Sequence, residues 1–329
     1  MNFDTLFSSF ANLKVAVVGD VMLDTYWWGH VDRISPEAPV PVVALDHKEL
    51  RIGGGGNVAL NTVALGAPTV LFSVIGNDED GKTLLSLLEK NNAQTSYIIS
   101  SNDRITTNKT RIISRNQHMM RLDAEMTKDI TTKEQELLLK NFKTFIEKEK
   151  PAVVIFEDYN KGVLTEYGIE KMIALCIENN IITTVDPKRK NFFAYKGVTI
   201  FKPNLKEVKD GLNVLIDDVN EAFLQDIHQQ LESRLHHTIS LITLSEKGVF
   251  YQQGLTGGIL PTFVRSIADV SGAGDTVIAV ASLVYAATSN IELAANLSNM
   301  AGGMVCEKVG TVAINKEKLL GECKELISG

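Results

Sequence analysis

The sequence predicts an α/β protein whose central, mostly parallel β-sheet is flanked by helices. Short apolar runs alternate along the chain with longer stretches of helical periodicity, the pattern of parallel strands joined by crossover helices. Hydrophobic residues make up 44% and charged residues 22% of the 329 residues, enough apolar material for one large core. We therefore expect a single domain over residues 1–329, with a small β-sheet attached to it.

The apolar runs define the elements in order. Short runs rich in β-branched residues predict core strands at residues 15–18, 69–74, 153–156, 182–185, 199–201 and 240–243. Between these runs, apolar residues recur at helical spacing, which predicts helices at residues 57–65, 81–91, 133–148 and 165–179. Two apolar helices packed against the sheet are predicted at residues 274–287 and 291–305.

Two regions break this rhythm. In residues 27–45 and 97–122, β-branched residues alternate with polar ones, as in a half-exposed antiparallel strand pair. We expect about residues 26–45 and 97–122 to form the small sheet and to act as a lid. A lid that closes over a site excludes water from the chemistry beneath it.

The net charge and the cysteine pattern exclude several classes of protein. A formal net charge of -7 argues against a surface that neutralises nucleic-acid phosphates, so we expect no nucleic-acid partner. Cys176, Cys306 and Cys323 are widely spaced and form no metal-ligand cluster, which fits a reducing cytoplasm. The amino terminus lacks the pattern of a leader, and no apolar segment approaches the length of a membrane span, so no membrane partner is expected.

A glycine-rich segment near the carboxyl terminus carries the strongest chemical signal. Residues 269–276 read Asp-Val-Ser-Gly-Ala-Gly-Asp-Thr and lead directly into an apolar run. The small residues Gly272, Ala273 and Gly274 let the backbone approach an anion, and a helix beginning here directs free N–H groups at it. Asp275 in the first turn could take a proton from an attacking hydroxyl. The alternative is a simple helix cap made by Ser271 or Asp275.

This segment resembles the Asp-Thr-x-Gly-Ala-Gly-Asp signature of the ribokinase-like, or PfkB-type, carbohydrate kinases, with Val270 in place of the usual threonine. The resemblance implies a ribokinase-like fold and a kinase that uses ATP and Mg²⁺. It also implies that Asp275 is the catalytic base and that Gly272, Ala273 and Gly274 form the anion hole. Activation by a monovalent cation stays open.

Two further segments resemble the sugar site of that family. Residues 53–59, Gly-Gly-Gly-Gly-Asn-Val-Ala, are similar to its di-glycine segment, which implies sugar contacts for Gly54, Gly55 and Asn57. Asp20 and Asp24 follow the first predicted strand, and Asp24 matches the family's sugar-binding aspartate. The alternative for both carboxylates is a solvated turn at the end of the strand.

The nucleotide side of the family is matched by shorter motifs. Asn204 and Glu207 resemble the Asn-x-x-Glu element that orders Mg²⁺ and the phosphates, with Glu207 acting on the ion through water. A helix start capped by Asn204 is the alternative. The remaining residues that the resemblance assigns to the nucleotide are Thr243, Ser245, Gly248 and Asn299.

Within the family, several segments resemble the bacterial kinases of D-glycero-D-manno-heptose 7-phosphate, including the kinase half of the bifunctional heptose enzyme. They are residues 19–27, 33–42, 114–117, 121–123 and 158–164. The likeness implies phosphorylation of the anomeric hydroxyl to heptose 1,7-bisphosphate for lipopolysaccharide or other surface glycans, and a homodimer formed where two lids meet. No His-x-Gly-His nucleotidyltransferase motif is present. Gly55, Gly56 and Asn160 depart from the residues usual in these kinases.

Cations in otherwise uncharged segments indicate a phosphorylated substrate. They are Arg111, Arg115, Arg121, Lys161 and Lys188. A bidentate arginine suits a phosphate better than a neutral sugar. We expect Arg111, Arg115, Lys161 and Lys188 to contact the substrate, and the alternative is that they are surface charges of a lid.

Three other functions remain open from the sequence. One is a different PfkB-type kinase, acting on a ribose or fructose phosphate. Another is an NAD-dependent oxidoreductase, since Gly54, Gly56 and Ala59 fit Gly-x-Gly-x-x-Gly/Ala, although residues 46–51 are expected to separate them from the preceding strand. A catalytically silent sugar sensor is the third, which a retained Asp275 and Glu207 argue against.

Overall fold

A computed structural model of the chain describes residues 2–115, 117–214 and 218–326. The strands are β1 (Val15–Gly19), β2 (Val21–Ile34), β3 (Pro41–Gly54), β4 (Thr69–Gly76), β5 (Gln94–Ser101), β6 (Asn108–Ser114), β7 (Gln117–Ala124), β8 (Val153–Glu157), β9 (Ile182–Asp186), β10 (Ile200–Phe201), β11 (Ile239–Thr243), β12 (Val249–Gln253) and β13 (Thr256–Leu260). The helices are α1 (Phe3–Ser9), α2 (Gly55–Ala64), α3 (Glu79–Lys90), α4 (Thr132–Glu149), α5 (Glu166–Glu178), α6 (Leu205–Leu212), α7 (Glu221–Leu235), α8 (Ala273–Thr288), α9 (Ile291–Val305) and α10 (Lys316–Leu326).

The main sheet has the predicted mostly parallel character. Within the described residues its nine strands run in the order β13-β12-β11-β10-β9-β8-β1-β4-β5. The seven strands from β11 to β5 in this order pair in parallel with one another, whereas β12 pairs antiparallel with β11 and with β13. Every residue of β1, β4 and β8 is buried, because helices cover both faces of the sheet.

Alternation along the strands divides the apolar interior into two layers. On β8, Val153 and Ile155 pack with apolar residues of α2, α8 and α9, whereas Val154 and Phe156 pack with those of α4, α5 and α7. The side-chain period of a strand is two residues, so Glu157 points to the same side as Ile155. The last residue of β8 is therefore directed toward α2 and α8.

A separate small sheet stands beside the main one. Within the described residues its strands run in the order β3-β2-β6-β7, with β2 antiparallel to β3, parallel to β6, and β6 antiparallel to β7. The prediction of a second, smaller sheet is therefore confirmed. Its first two strands are longer than the predicted segment and continue to Gly54, where α2 begins.

The boundary predicted for the second lid segment was wrong. Residues 97–101 belong to β5, which pairs in parallel with β4 at the edge of the main sheet. Tyr97 stacks on Phe72 with 4.8 Å between ring centroids. A half-buried edge strand alternates apolar and polar residues just as an antiparallel pair does, so the sequence pattern alone does not distinguish them.

Most predicted helices are present within one or two residues of their predicted ends. The α9 helix has the predicted bounds, and α8 begins at Ala273, one residue before the prediction. Among the described residues, no helix combines the length and apolar character needed to cross a membrane.

Candidate active site

A cleft of about 1010 Å³ opens at the carboxyl ends of the parallel strands. Its lining comes from the segments that follow β9, β10 and β11 and from the first turn of α8. In open α/β sheets, ligands bind outside the carboxyl ends of the strands. The glycine-rich segment predicted to be catalytic contributes Gly272, Ala273, Gly274 and Asp275 to the lining of this cleft.

The amino terminus of α8 is shaped for an anion. Gly272 has φ 78°, and a Cβ there would lie 2.7 Å from Nδ2 of Asn57, so only glycine fits this position. Among the described residues no side chain caps this helix, so N–H groups of its first turn face the cleft without a side-chain acceptor. The hydroxyl of Ser271 donates instead to Asp269, at 2.9 Å. The capping alternative for Ser271 and Asp275 is therefore not what the structure shows.

Asp275 lies in this first turn with both carboxylate oxygens engaged. Its Oδ2 accepts a hydrogen bond from Nδ2 of Asn57 at 2.8 Å, and its Oδ1 accepts one from the hydroxyl of Tyr159 at 2.7 Å. Burial raises the pKa of Asp275, while the hydrogen bonds from Asn57 and Tyr159 act in the opposite direction. The side chain borders the cleft with only 2% of its residue surface exposed.

Asn57 has a different contact from the one predicted. We expected its amide to contact a sugar, but it is fully buried and donates to Asp275. Asn61 in turn donates to the backbone carbonyl of Asn57 at 2.8 Å, which holds this turn of α2. Asn57 is therefore a positioning residue for the carboxylate, and any contact with a sugar would be additional to that bond.

Tyr159 is a site residue that the sequence analysis missed. Burial, followed by the charge of Asp275, raises its pKa well above the usual value, so the phenol stays protonated and remains a donor. The Nζ atoms of Lys109 and Lys188 each lie 5.5 Å from its ring centroid. Only its place in the resemblance segment 158–164 could have indicated it.

Asp20 has a structural role in place of the predicted substrate contact. It is 1% exposed, and its Oδ2 accepts hydrogen bonds from the backbone N–H groups of Tyr159 and Lys161. Its Oδ1 accepts a third, from Val163. All three donors lie in the loop after β8, so Asp20 fixes the loop that carries Tyr159, and its carboxylate is not free for a sugar.

Gly54 and Gly55 act through the backbone. Gly54 has φ 60°, and a Cβ there would lie 2.5 Å from the carbonyl oxygen of Asp20. The N–H of Gly55 donates to the same carbonyl at 2.9 Å. These glycines let α2 begin directly at the end of β3.

Asp24 and Arg111 form a buried ion pair on the small sheet. Arg111 donates to Oδ1 of Asp24, and the two side chains are 11% and 4% exposed. The neighbouring Gly53 leaves room for this carboxylate, because a Cβ there would lie 2.4 Å from its Oδ2. Asp24 and Arg111, which were both predicted to contact the substrate, are thus paired with each other.

Arg115 does not join this group. Its side chain is 77% exposed at the turn between β6 and β7, and its guanidinium lies 3.7 Å from Asp32. Asn116, in one of the resemblance segments, lies outside the described residues. The prediction that Arg115 contacts the substrate is not supported by this placement within one chain.

Lys188 lines the cleft together with the residues predicted to bind the nucleotide and does not lie on the small sheet. Its Nζ donates to Asp186 at 2.9 Å and to Glu207 at 2.6 Å, and Lys202 donates to the other oxygen of Asp186 at 2.7 Å. Burial alone would lower the pKa of Lys188, but the carboxylates of Asp186 and Glu207 outweigh it and raise that pKa. Asp186 and Lys202 also line the cleft, and no sequence pattern indicated them as site residues.

Asn204 and Glu207 form a capping box at the start of α6. Glu207 N–H donates to the side chain of Asn204 at 2.9 Å, and the carboxylate of Glu207 accepts from Asn204 N–H at 2.8 Å. The helix-cap alternative is therefore present. Among the described residues no group of three or more His, Cys, Asp or Glu could hold a metal ion. The carboxylates present fit Mg²⁺ only as an ion that keeps most of its water.

The other predicted nucleotide residues border the same cleft. Thr243, Ser245, Gly248 and Asn299 are all part of its lining. Gly248 has φ 97°, and a Cβ there would lie 2.0 Å from the carbonyl oxygen of Leu260. An apolar wall that the sequence analysis did not predict completes this end of the cleft with Phe263, Val264, Ile267 and Val270.

The gap expected between the glycines of a dinucleotide fingerprint and the preceding strand is not present. The β3 strand runs through residues 46–51 and reaches Gly54, so no gap separates it from the glycines. However, β3 belongs to the small sheet and pairs antiparallel with β2. The glycines therefore do not lie in a βαβ unit of the parallel sheet, which that fingerprint requires.

A carboxylate beside a helix amino terminus, at the strand ends of such a sheet, suits phosphoryl transfer, because it places a proton acceptor next to donors for phosphate oxygens. Residues 12–318 match the pfkB family of carbohydrate kinases, and the chain belongs to this family. The ribokinase-like fold is confirmed by phosphofructokinase-2 from Escherichia coli in complex with potassium, which superimposes with a TM-score of 0.81 at 17% identity, over 96% of this chain and 100% of that one.

Curated relatives share much more of the sequence. The chain is 37% identical over 326 residues to the bifunctional protein HldE of Geobacter metallireducens, covering 97% of this chain and 65% of that protein. It is 40% identical over 309 residues to the bifunctional protein HldE of Methylobacillus flagellatus, covering 93% and 62%. The chain thus spans less than two thirds of the length of these relatives.

Proposed function

We propose that this protein transfers the γ-phosphate of ATP to the anomeric hydroxyl of a phosphorylated sugar. The substrate proposed is D-glycero-D-manno-heptose 7-phosphate, and the product is heptose 1,7-bisphosphate. The observation that carries the proposal is the position of Asp275, which borders the cleft in the first turn of α8. The choice of heptose is supported by the resemblance segments and by the similarity to proteins named HldE.

In the proposed reaction, Asp275 accepts the proton of the anomeric hydroxyl as the hydroxyl oxygen attacks the γ-phosphorus, and the bond from that phosphorus to the β,γ-bridging oxygen breaks to release ADP. Asn57 and Tyr159 hold the carboxylate in one orientation through its two oxygens. The N–H groups of Gly272, Ala273 and Gly274 stabilise charge on the transferred group, and that of Ala273 also donates to the carbonyl of Val270 at 3.3 Å. Removing one donor of this kind typically costs about 3 kcal/mol of transition-state stabilisation.

Cations complete the proposed phosphate site. Mg²⁺ bound together with ATP would reduce the negative charge of the phosphates. Glu207 would act on it through water, and Lys188 and Lys202 line the same side of the cleft. A monovalent cation is a further proposed activator, to be tested by comparing potassium with sodium chloride at equal ionic strength.

The small sheet is proposed to be the lid and the dimer contact. One of its faces, here called the outer face, carries the register row Leu50, Thr25, Thr110 and Leu122. Leu50, Met120 and Leu122 are 41%, 56% and 49% exposed. Apolar side chains concentrated on one sheet face indicate a partner surface, and we propose a second copy of this chain as the partner.

The proposed setting is the cytoplasm, where the product would enter the synthesis of lipopolysaccharide or another surface glycan. ATP and the sugar phosphate are the proposed small-molecule partners.

A substrate panel tests this function. ADP release is measured with heptose 7-phosphate, fructose 6-phosphate, ribose 5-phosphate and unphosphorylated sugars, with Asp275→Asn as the inactive control. We expect heptose 7-phosphate to give the highest kcat/KM. A higher value for fructose or ribose phosphate would replace the proposed substrate, and turnover of free sugars alone would reject a phosphorylated one. Fluorescence titration with ATP and NADH separates a kinase from an oxidoreductase.

A further inference from the structure

The second face of the small sheet, here called the inner face, carries an unusual set of charges. In register across the strands, Arg51, Asp24, Lys109 and Asp123 form one row, and Glu49, Tyr26, Arg111 and Arg121 form the next. Residues in register on neighbouring strands share a face. The Nζ of Lys109 lies over the ring of Tyr159, so this face is turned toward the loop that orients Asp275.

Nearly every cation around this face is neutralised by a carboxylate. Arg111 pairs with Asp24, Arg121 with Asp123, Arg51 with Glu49, and Lys161 lies 2.7 Å from Glu125. Lys109 differs, because its ammonium forms no hydrogen bond or ion pair with any residue in the part of the chain that the structure describes and contacts only the Tyr159 ring. One positive charge of the face is therefore unbalanced.

The position of Lys109 makes this charge costly. The residue is half-buried between the small sheet and Tyr159. Burial lowers its pKa, and the nearby Lys161 lowers it further, although Asp24 and Glu125 act in the opposite direction. A partly buried cation that lies beside another cation is stabilised more by an anionic ligand than one already paired with a carboxylate.

We propose that Lys109 binds the phosphate group that the sugar already carries, at the end of the molecule that does not react. This inference rests on the proposed function. The Tyr159 ring lies 5.5 Å from Nζ of Lys109, and the Tyr159 hydroxyl is bonded to Asp275. One aromatic side chain therefore contacts both the cation and the base, and the proposal places the carried phosphate at Lys109 and the reacting hydroxyl at Asp275.

The competing occupant is the γ-phosphate of ATP. Lys188 already lies at 5.5 Å from the same ring, on the side of Asp186 and Glu207 that lines the cleft. Lys109 comes from the small sheet and is not among the residues that line this cleft. The geometry thus favours the sugar phosphate for Lys109 and the nucleotide for Lys188.

Steady-state kinetics of Lys109→Met, with the sugar phosphate and ATP varied separately, test the proposal. Losing a charge-assisted hydrogen bond should raise the KM for heptose 7-phosphate by about 10- to 100-fold, with kcat and the KM for ATP changed by less than about threefold. Lys109→Arg should restore part of the affinity. The matched control is Lys171→Met, whose ammonium lies 5.4 Å from the Tyr167 ring on α5, and it should leave all constants unchanged.

The outcomes separate this inference from the function on which it rests. If the wild-type enzyme prefers another sugar phosphate, the same comparison is made with that substrate, and a selective rise in its KM supports Lys109 as the phosphate contact. A KM for the sugar phosphate within twofold of wild type would overturn the inference while leaving the kinase activity intact. A rise confined to the KM for ATP would assign Lys109 to the nucleotide instead and would also overturn it.

Discussion

The hydroxyl of Tyr159 donates a 2.7 Å hydrogen bond to Oδ1 of Asp275, and this bond joins the loop after β8 to the first turn of α8. That loop is in turn fixed by the buried carboxylate of Asp20 through Tyr159, Lys161 and Val163. The orientation of Asp275, the proposed base, therefore depends on the ends of β1 and β8, which carry Asp20 and Tyr159, as well as on α8.

Asp275→Asn should remove catalysis and leave the fold intact. The amide has nearly the same shape but does not accept a proton, so we expect kcat to fall by at least about a thousandfold. Burial raises the pKa of Asp275, so a neutral amide also avoids the cost of a buried charge, and the Tm should not fall. Single-turnover kinetics and a thermal melt check both; retention of most of the activity would contradict the role of Asp275.

Tyr159→Phe should move the acid limb of the pH–rate profile to higher pH. The Tyr159 hydroxyl lowers the pKa of Asp275, so its loss lets burial raise that pKa further. Activity that requires the carboxylate is then lost at a higher pH as the solution is acidified. We also expect kcat to fall about tenfold, for one lost hydrogen bond.

A purely structural role for Tyr159 would lower the Tm without moving this limb. Tyr167→Phe is the matched control, since Tyr167 is an exposed tyrosine on α5, and its profile should superimpose on that of the wild type.

Glu157→Gln should stabilise the protein increasingly as the pH rises. Both carboxylate oxygens of Glu157 are buried without a hydrogen-bond partner among the described residues. Burial, then the charges of Asp186 and Asp275, raise its pKa well above the usual value. At a pH above the pKa that Glu157 has in the unfolded chain, the unfolded chain has released a proton that the folded chain still holds. The free energy of unfolding therefore falls by about 1.4 kcal/mol per pH unit until the pH reaches the pKa of Glu157 in the folded protein.

Glutamine removes this titration, so the difference in Tm between Glu157→Gln and wild type should be larger at pH 8 than at pH 5. Thermal melts across that range measure it. A difference independent of pH would mean that Glu157 is not held protonated in the folded protein.

Leu122→Glu should separate the proposed dimer. Leu122 lies on the outer face of the small sheet with 49% of its surface exposed, and burying a carboxylate against a second copy is unfavourable. Light scattering after gel filtration should give a dimer for wild type and a monomer for the variant. The control Leu137→Glu, at a leucine of α4 that is 44% exposed, should remain dimeric; a monomeric wild type would reject the dimer.

The sequence predicts the framework of this protein well because the framework depends on local patterns. Buried parallel strands are short apolar runs, and α9 was located to the residue by its apolar periodicity. The sequence likewise predicts Asp275 at the start of α8, since small residues followed by an apolar run indicate a helix start that an anion can approach.

The partners of each charged residue could not be predicted in this way. Asp20 and Asp24 look alike in sequence, yet one binds backbone N–H groups of the loop after β8 and the other binds Arg111. Tyr159 meets Asp275 across 116 positions of sequence, and Asn57 meets it across 218. Such contacts depend on how the strands are ordered in the sheet, which apolar periodicity does not encode.

The continuous passage from β3 into α2 leaves no loop at this junction between the small sheet, the proposed lid, and the main body of the protein. Gly54 ends the strand and Gly55 begins the helix, with both backbones held against the carbonyl of Asp20. Asn57 follows in the same first turn, and its side-chain amide donates a hydrogen bond to the carboxylate of Asp275. A swing of the proposed lid about this joint would also displace the Asn57 amide, so we expect closure to bend the sheet farther out, where the register of β2 and β3 shifts near Gly29 and Arg33.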